Sequence, residues 1–121
     1  MGTFDKEALK KRTKRFSVEV AKLTIDLPYN LINKNHSNQI IRGSSSTGVN
    51  YRAACRAKST ADFINKLKIV GGETDETLYF LELLEEFHPD KQSRIQEIWK
   101  EGNEILSIIV SSLITLRQRN S

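Results

Sequence analysis

The sequence has few of the residues that crosslink or interrupt a chain: one cysteine, two prolines and six glycines among 121 residues. Because Cys55 has no second cysteine to pair with, an intramolecular disulfide is excluded and a cytoplasmic location is favoured. No segment approaches the ~20 apolar residues of a membrane-spanning helix, so we expect no membrane contact. Residues 1–15 are charged and lack the apolar stretch of a secretory signal.

The composition is that of a folded chain, with 38% hydrophobic and 28% charged residues. Its length predicts a single domain over residues 1–121. Apolar periodicity predicts four helices, at about 5–27, 37–57, 59–87 and 90–119. Since the connections between them are short, we predict an all-α, up-down-up-down antiparallel four-helix bundle.

Two predicted helices contain residues that usually weaken a helix. Ser37 is a plausible N-cap of the second helix. Within that helix, residues 43–48 comprise two glycines, three serines and a threonine, and their propensities are those of a loop. A three-four stripe nevertheless crosses it in register, which favours a continuous helix: Ile41, Ser44, Gly48, Tyr51 and Cys55. In the third, Gly71 and Gly72 should cost about 2 kcal/mol relative to two alanines, so packing must offset them or the helix must bend.

The fourth predicted helix carries two apolar stripes, whereas an exposed bundle helix needs one. Burial on more than one side indicates a contact with another subunit. The candidate interface residues are Trp99, Leu106, Ile109, Val110 and Leu113.

Residue patterns for catalysis or metal binding are weak. No cysteine, histidine, aspartate and glutamate set has metal-ligand spacing, and we expect His36 and His88 to be solvent-exposed loop residues. Cys55 is expected to be a buried, inert thiol. The sequence therefore predicts no catalytic residue, no cofactor and no metal, and the protein is not expected to be an enzyme.

One pair of carboxylates, Glu73 and Glu76, lies three residues apart on the third helix. Such a pair can act in acid–base chemistry when burial raises one pKa. We expect instead that they form ion pairs with Arg42 or Lys66 across the bundle.

The net charge of +4 conceals an uneven distribution. In the predicted topology one end of the bundle collects residues 1–15, 50–70 and 112–121, which contain thirteen basic and three acidic residues. Helix dipoles explain basic residues at helix C-termini, but they do not explain the six at the start of the first helix. Candidate nucleic-acid-binding residues are Lys10, Lys11, Arg12, Lys14, Arg15, Arg52, Arg56, Lys58, Lys66, Lys68, Arg117 and Arg119.

A spaced motif runs through the second and third predicted helices. It comprises residues 42–54, Ser59, residues 62–67, Glu73, residues 76–77 and residues 79–84. This motif resembles the bacterial four-helix-bundle family first noticed as reading frames inside intervening sequences of large-subunit ribosomal RNA genes. The sequence departs from that pattern at Ala53, where the family usually has glutamate, and at Gly71-Gly72, where it has helix formers.

The resemblance implies a four-helix bundle that assembles into a ring-like homo-oligomer, which we expect to be a pentamer, and it implies no established enzymatic activity. It also implies similarity to the accessory proteins of diversity-generating retroelements, which bind nucleic acid and a reverse transcriptase. Together with the basic end, this favours a non-enzymatic oligomeric protein associated with RNA or DNA. The alternative is a structural or protein-interaction module whose basic end docks an acidic partner.

Overall fold

The computed structural model describes residues 5–119. Four helices make up most of this range: α1 (Lys6–Ile25), α2 (Leu31–Cys55), α3 (Thr60–Phe87) and α4 (Gln92–Arg119). A 3₁₀ turn, Pro89–Lys91, leads into α4. Each helix packs antiparallel to the next, and α1 packs against α4 to close the bundle, so the predicted all-α architecture is confirmed.

The start of α2 was predicted too late. The helix begins at Leu31, six residues before Ser37, because Asn30 is its N-cap and accepts a hydrogen bond from the backbone N–H of Asn33. Ser37 lies inside the helix. The sequence between Pro28 and Ser37 lacks a clean apolar stripe, so periodicity alone did not extend the helix back to this cap.

The core is formed by apolar residues that recur every three or four positions on α1, α3 and α4, the periodicity from which these helices were predicted. Phe16, Val20 and Leu23 of α1 are buried, as are Ile98 and Ile105 of α4. On α3 the buried residues follow the predicted three-four spacing: Leu67, Val70, Thr74, Thr77, Leu81 and Leu84.

On α2 the buried face is rotated slightly from the predicted one. Ile40 is fully buried, whereas Ile41 is 40% exposed. Gly48 and Cys55 are half-buried at the edge of the face. The helix itself is continuous through residues 43–48, as the register of the stripe predicted.

The helix α3 continues through its glycine pair. A Cβ at Gly71 would make ordinary contacts with Ile109 and Leu106, at 3.7 and 3.9 Å, and a Cβ at Gly72 would meet nothing within 4 Å. Packing inside the protomer therefore does not require a glycine at either position. By contrast, a Cβ at Gly102 would lie 2.8 Å from Phe16 and Leu78.

Within the described residues, no Cα atom of α1 lies within 8 Å of a Cα atom of α3, and the same holds for α2 and α4. These two pairs thus occupy diagonal corners of the bundle, with α1 and α3 running in the same direction. The outer faces of α1 and α3 consequently point away from each other.

Candidate functional site: the basic end of the bundle

The antiparallel order brings the end of α2, the start of α3 and the end of α4 to one end of the molecule. Arg52 lies in the last turn of α2, Arg56 follows the helix, and Lys58 lies in the connection to α3. Arg117 and Arg119 lie in the last turn of α4. These five residues, which we call the end group, are exposed and form no ion pair with another described residue.

Positive charge is favourable at these positions because the C-termini of helices carry partial negative charge. The backbone N–H of Arg56 closes α2 by bonding the carbonyl oxygens of Ala53 and Ala54. Each end-group side chain extends from a helix end or from the short connection between α2 and α3. The end group is therefore positioned by the fold and available to an anion from solvent.

Three of the candidate basic residues are engaged with carboxylates. Lys10 Nζ lies 2.9 Å from Glu7 on the same helix, and Lys66 Nζ lies 2.9 Å from Asp62. The Lys66 ammonium and the backbone N–H of Lys58 hold the pKa of the Asp62 carboxyl below its ordinary value. These partners neutralise part of the positive charge near the end group.

Arg12, the third of them, makes the most extensive ion pair. Its Nε and Nη2 donate to the two carboxylate oxygens of Glu101, at 3.0 and 2.7 Å, and Nη2 lies 3.2 Å from Glu104. The hydrogen bond to Glu101 is the main cause of a raised pKa at Arg12. This bidentate pair links α1 to α4, so Arg12 serves the fold more directly than it serves an external anion.

The other candidate basic residues lie away from the end. Lys14 and Arg15 are exposed and are eight and nine residues after the first residue of α1, which places them about 12 Å along the helix axis. Lys11 is exposed on the same side of α1, and Lys68 lies two turns into α3. The predicted set therefore separates into the end group, the three residues engaged with carboxylates, and four residues away from the end. We call these four the flank: Lys11, Lys14, Arg15 and Lys68.

The interface candidates of α4 occupy three different environments. Ile109 is fully buried in the protomer core and has no surface to offer a partner. Trp99, Leu106 and Leu113 are half-buried, and Trp99 Nε1 donates to Glu82 of α3 at 3.0 Å. Val110 is 45% exposed.

Both histidines differ from the expected exposed loop residues. His88 is buried, and its Nε2 lies 2.7 Å from Asn33 Oδ1. His36 lies inside α2, half-buried, with its ring 5.4 Å from that of Phe80. Both predictions were wrong for the same reason. α2 begins before His36 and packs over the α3–α4 connection, whereas a helix that began at Ser37 would include neither His36 nor Asn33, the partner of His88.

The acidic pair of α3 is engaged as expected. Arg42 donates to Glu76 at 2.7 Å and to Glu73 at 3.3 Å. Arg42 thus forms a polar link between α2 and α3. Within residues 5–119 no group of three or more histidine, cysteine and acidic side chains is arranged to hold a metal ion.

Tyr51 is the one fully buried residue of α2 whose side-chain oxygen has no hydrogen-bond partner among the described residues. Burial, and then the adjacent thiol of Cys55, raises the pKa of its hydroxyl. The hydroxyl is therefore neutral at physiological pH. Cys55 itself is half-buried, not buried as expected, and forms no disulfide.

A cleft of about 420 Å³ separates α1 and α4 beside the Arg12–Glu101 pair, with Phe16 and Ile98 at its base. Arg15, Glu19, Arg94 and Glu97 form its rim, so charges of both signs alternate there. This mixed rim favours no single class of ligand.

Charge also differs between individual helices, which the count of charges by bundle end did not reveal. α1 contains seven basic and two acidic residues, whereas α3 contains two basic and seven acidic residues. Because α1 and α3 lie at diagonal corners, the bundle is polarised across its width as well as along its length. A count of charges within each predicted helix would have shown this.

The fold and its charges define the class of protein: an antiparallel four-helix bundle with a basic end. None of the helices is long and apolar enough, over the described residues, to cross a membrane. Residues 6–111 match the family described as 23S rRNA-intervening sequence protein, and the chain belongs to that family.

A solved structure agrees with this assignment. The chain is similar to a crystal structure described as a protein with unknown function from the S23 ribosomal protein family from Bacteroides thetaiotaomicron VPI-5482. The two chains are 32% identical, the match covers 87% of this chain and 97% of the other, and the TM-score is 0.77. No curated protein matches the sequence.

Proposed function

We propose that this protein is a non-enzymatic, homo-oligomeric accessory protein of the cytoplasm that binds RNA or DNA through the basic end of its bundle. The observation that supports this most directly is the end group: Arg52, Arg56, Lys58, Arg117 and Arg119 converge by topology, and none of their side chains forms an ion pair with a described carboxylate.

The chemistry of this end suits phosphate. Arginine and lysine side chains neutralise backbone phosphates and release condensed counterions, a contribution that does not depend on base sequence. In the part of the chain that the structure describes, this end consists of helix termini and a short connection, so base-specific contacts are not part of the proposal. The flank residues Lys11, Lys14 and Arg15 extend the positive potential along α1.

Self-association strengthens such a site. A pentameric ring, which the family resemblance implies, would place five copies of the end group on one face. Several weak phosphate contacts then act together on one polymer, and the overall affinity rises above that of a single copy. The resemblance to retroelement accessory proteins extends the proposal to one further partner class, an enzyme such as a reverse transcriptase acting on the same nucleic acid.

The test is a fluorescence-anisotropy titration of the full chain with mixed-sequence single-stranded RNA and duplex DNA at several salt concentrations. The proposal expects binding at low salt that weakens steeply as salt rises, with little dependence on sequence. Absence of binding at low salt would contradict it. Binding to an acidic polypeptide but to neither nucleic acid would support the alternative, a protein-interaction module.

A further inference from the structure

The outer face of α3 is exposed over several turns. Gly72 lies at the N-terminal end of this face, where a Cβ would meet nothing within 4 Å, and Tyr79 is 58% exposed two turns further along. Exposed carboxylates surround the tyrosine: Asp75, Glu82 and Glu86. A glycine inside a helix costs about 1 kcal/mol relative to alanine, and no contact within the protomer compensates for it. We call these five residues the acidic face.

Side chains of α4 border the acidic face. Trp99 donates its indole N–H to Glu82, and Leu106 packs beside Gly71. A shallow cleft of about 400 Å³ opens there, lined by Glu82, Glu85, Gln96, Trp99 and Lys100. Trp99 and Leu106 thus lie at the edge of an acidic surface that includes exposed aromatic and apolar atoms.

The opposite corner of the bundle carries a complementary surface. Lys11, Lys14 and Lys22 project from the outer face of α1, around Val18 and Ile25, which are 43% and 79% exposed. We call these five residues the basic face. Lys22 has one carboxylate nearby, Glu19 of the same helix at 3.8 Å.

The two faces are at the same height in the bundle. Thr13 of α1 lies level with Gly48, where a Cβ would be 3.7 Å from the Thr13 hydroxyl oxygen. The neighbouring Thr47 shares a hydrogen bond of 3.0 Å with Thr74 of α3. Thr13 and Thr74 therefore belong to one layer, and the parallel directions of α1 and α3 keep later residues level.

This register places complementary side chains at equal heights. Lys14 follows Thr13 and is level with Asp75, which follows Thr74. One turn further, Val18 is level with Tyr79. In a closed ring all subunits have the same height along the symmetry axis, so residues at equal heights meet when the bundle axes run along that axis.

We propose that the basic face of α1 docks on the acidic face of α3 in a second copy of this chain, head to tail. The inference rests on the self-association proposed above and names the surfaces that form it. An odd-numbered ring needs two different faces on each subunit, because a self-complementary patch produces a twofold dimer. Opposite charges at the rim set the register of the contact, while Val18 and Tyr79 supply apolar area at its centre.

The test is a crosslinking experiment on the full chain with Cys55→Ser as background. Val18→Cys and Tyr79→Cys are combined, the protein is oxidised with copper phenanthroline in air, and the products are separated without reductant. The two positions lie at diagonal corners and cannot meet within one protomer, so a ladder of covalent multimers is expected. The control combines Val18→Cys with Ile114→Cys, an equally accessible position on α4 that is 49% exposed and lies nearer the basic end.

A second measurement does not depend on oxidation. Lys11→Glu, Lys14→Glu and Lys22→Glu together should lower the mass found by light scattering, and adding Asp75→Lys, Glu82→Lys and Glu86→Lys should restore it. An oligomeric wild type that gives no ladder, or a ladder equal to that of the control, would overturn the assignment of these faces and leave the basic end untouched. A monomeric wild type would refute the proposed self-association itself.

Discussion

The imidazole of His88 and the side-chain amide of Asn33 join the two connections at one end of the bundle. His88 Nε2 lies 2.7 Å from Asn33 Oδ1, and Asn33 Nδ2 donates to the carbonyl oxygen of Pro28 at 2.8 Å. Both side chains are buried. One asparagine therefore ties the α1–α2 connection to the residue that precedes the 3₁₀ turn and α4, and it fixes where both connections pass.

Replacing Asn33 with alanine should lower the free energy of unfolding by about 1–3 kcal/mol, because the buried imidazole of His88 and the Pro28 carbonyl then lose their partner. Urea denaturation followed by circular dichroism measures this. Asn38→Ala, at an exposed position of the same helix, is the matched control and should change stability by less than about 0.5 kcal/mol. Equal effects of the two substitutions would contradict the role assigned to Asn33.

Two glycine-to-alanine substitutions should change the free energy of unfolding in opposite directions. Gly102→Ala places a Cβ 2.8 Å from the side chains of Phe16 and Leu78, so it should destabilise the bundle by about 1–3 kcal/mol. Gly71→Ala meets ordinary contacts and should stabilise the helix by about 0.5–1 kcal/mol. Thermal unfolding of the two variants checks both; a stabilised Gly102→Ala variant would show that α1, α3 and α4 pack less closely there.

Asp26 should titrate with a pKa below its ordinary value of 3.8, because Arg94 of α4 donates a hydrogen bond to its carboxylate and Lys91 adds positive charge. A pKa lowered in the folded state stabilises the fold above the unfolded value, and that contribution is lost as the pH falls through the folded pKa. NMR titration of the Asp26 carboxyl carbon measures the value. Arg94→Gln should return the pKa towards 3.8; an unchanged pKa would show that the ion pair does not persist in solution.

Most of the fold could be predicted because each helix repeats the same spacing of apolar residues over several turns. The α3 stripe from Leu67 to Leu84 and the α1 stripe from Phe16 to Leu23 show their periodicity over several turns. The start of α2 depends instead on a single cap at Asn30 and on contacts with the distant His88. A single residue produces no periodicity, so the start of α2 was predicted too late. For the same reason the surroundings of both histidines were predicted wrongly.

The part of the candidate site that depends only on the order of the helices could be predicted from the sequence. The helix order sufficed to bring Arg52, Arg56 and Arg117 to one end. Which basic residues are neutralised depends on side chains from other helices: Arg12 meets Glu101, 89 positions away, and no local pattern indicates it. The predicted topology already placed α1 and α3 at diagonal corners, but the sequence could not show that their charged faces lie at the same height.

The central claim is that the end group binds polyanions, and charge-matched variants test it most directly. Arg52→Gln, Arg56→Gln and Lys58→Gln together remove three positive charges from the end, and glutamine avoids placing a carboxylate at the negative C-terminus of α2. Lys34→Gln, Lys91→Gln and Lys100→Gln remove the same charge from exposed or half-exposed positions elsewhere.

Affinity for mixed-sequence RNA and DNA is then measured at two salt concentrations for the wild type and both variants, with circular dichroism confirming that each is folded. The end variant should bind more weakly to every sequence, and the slope of log affinity against log salt should flatten by about one for each phosphate that the variant no longer neutralises. The control should keep the slope of the wild type. Equal weakening in the two variants, or unchanged affinity in the end variant, would contradict a polyanion site at the basic end.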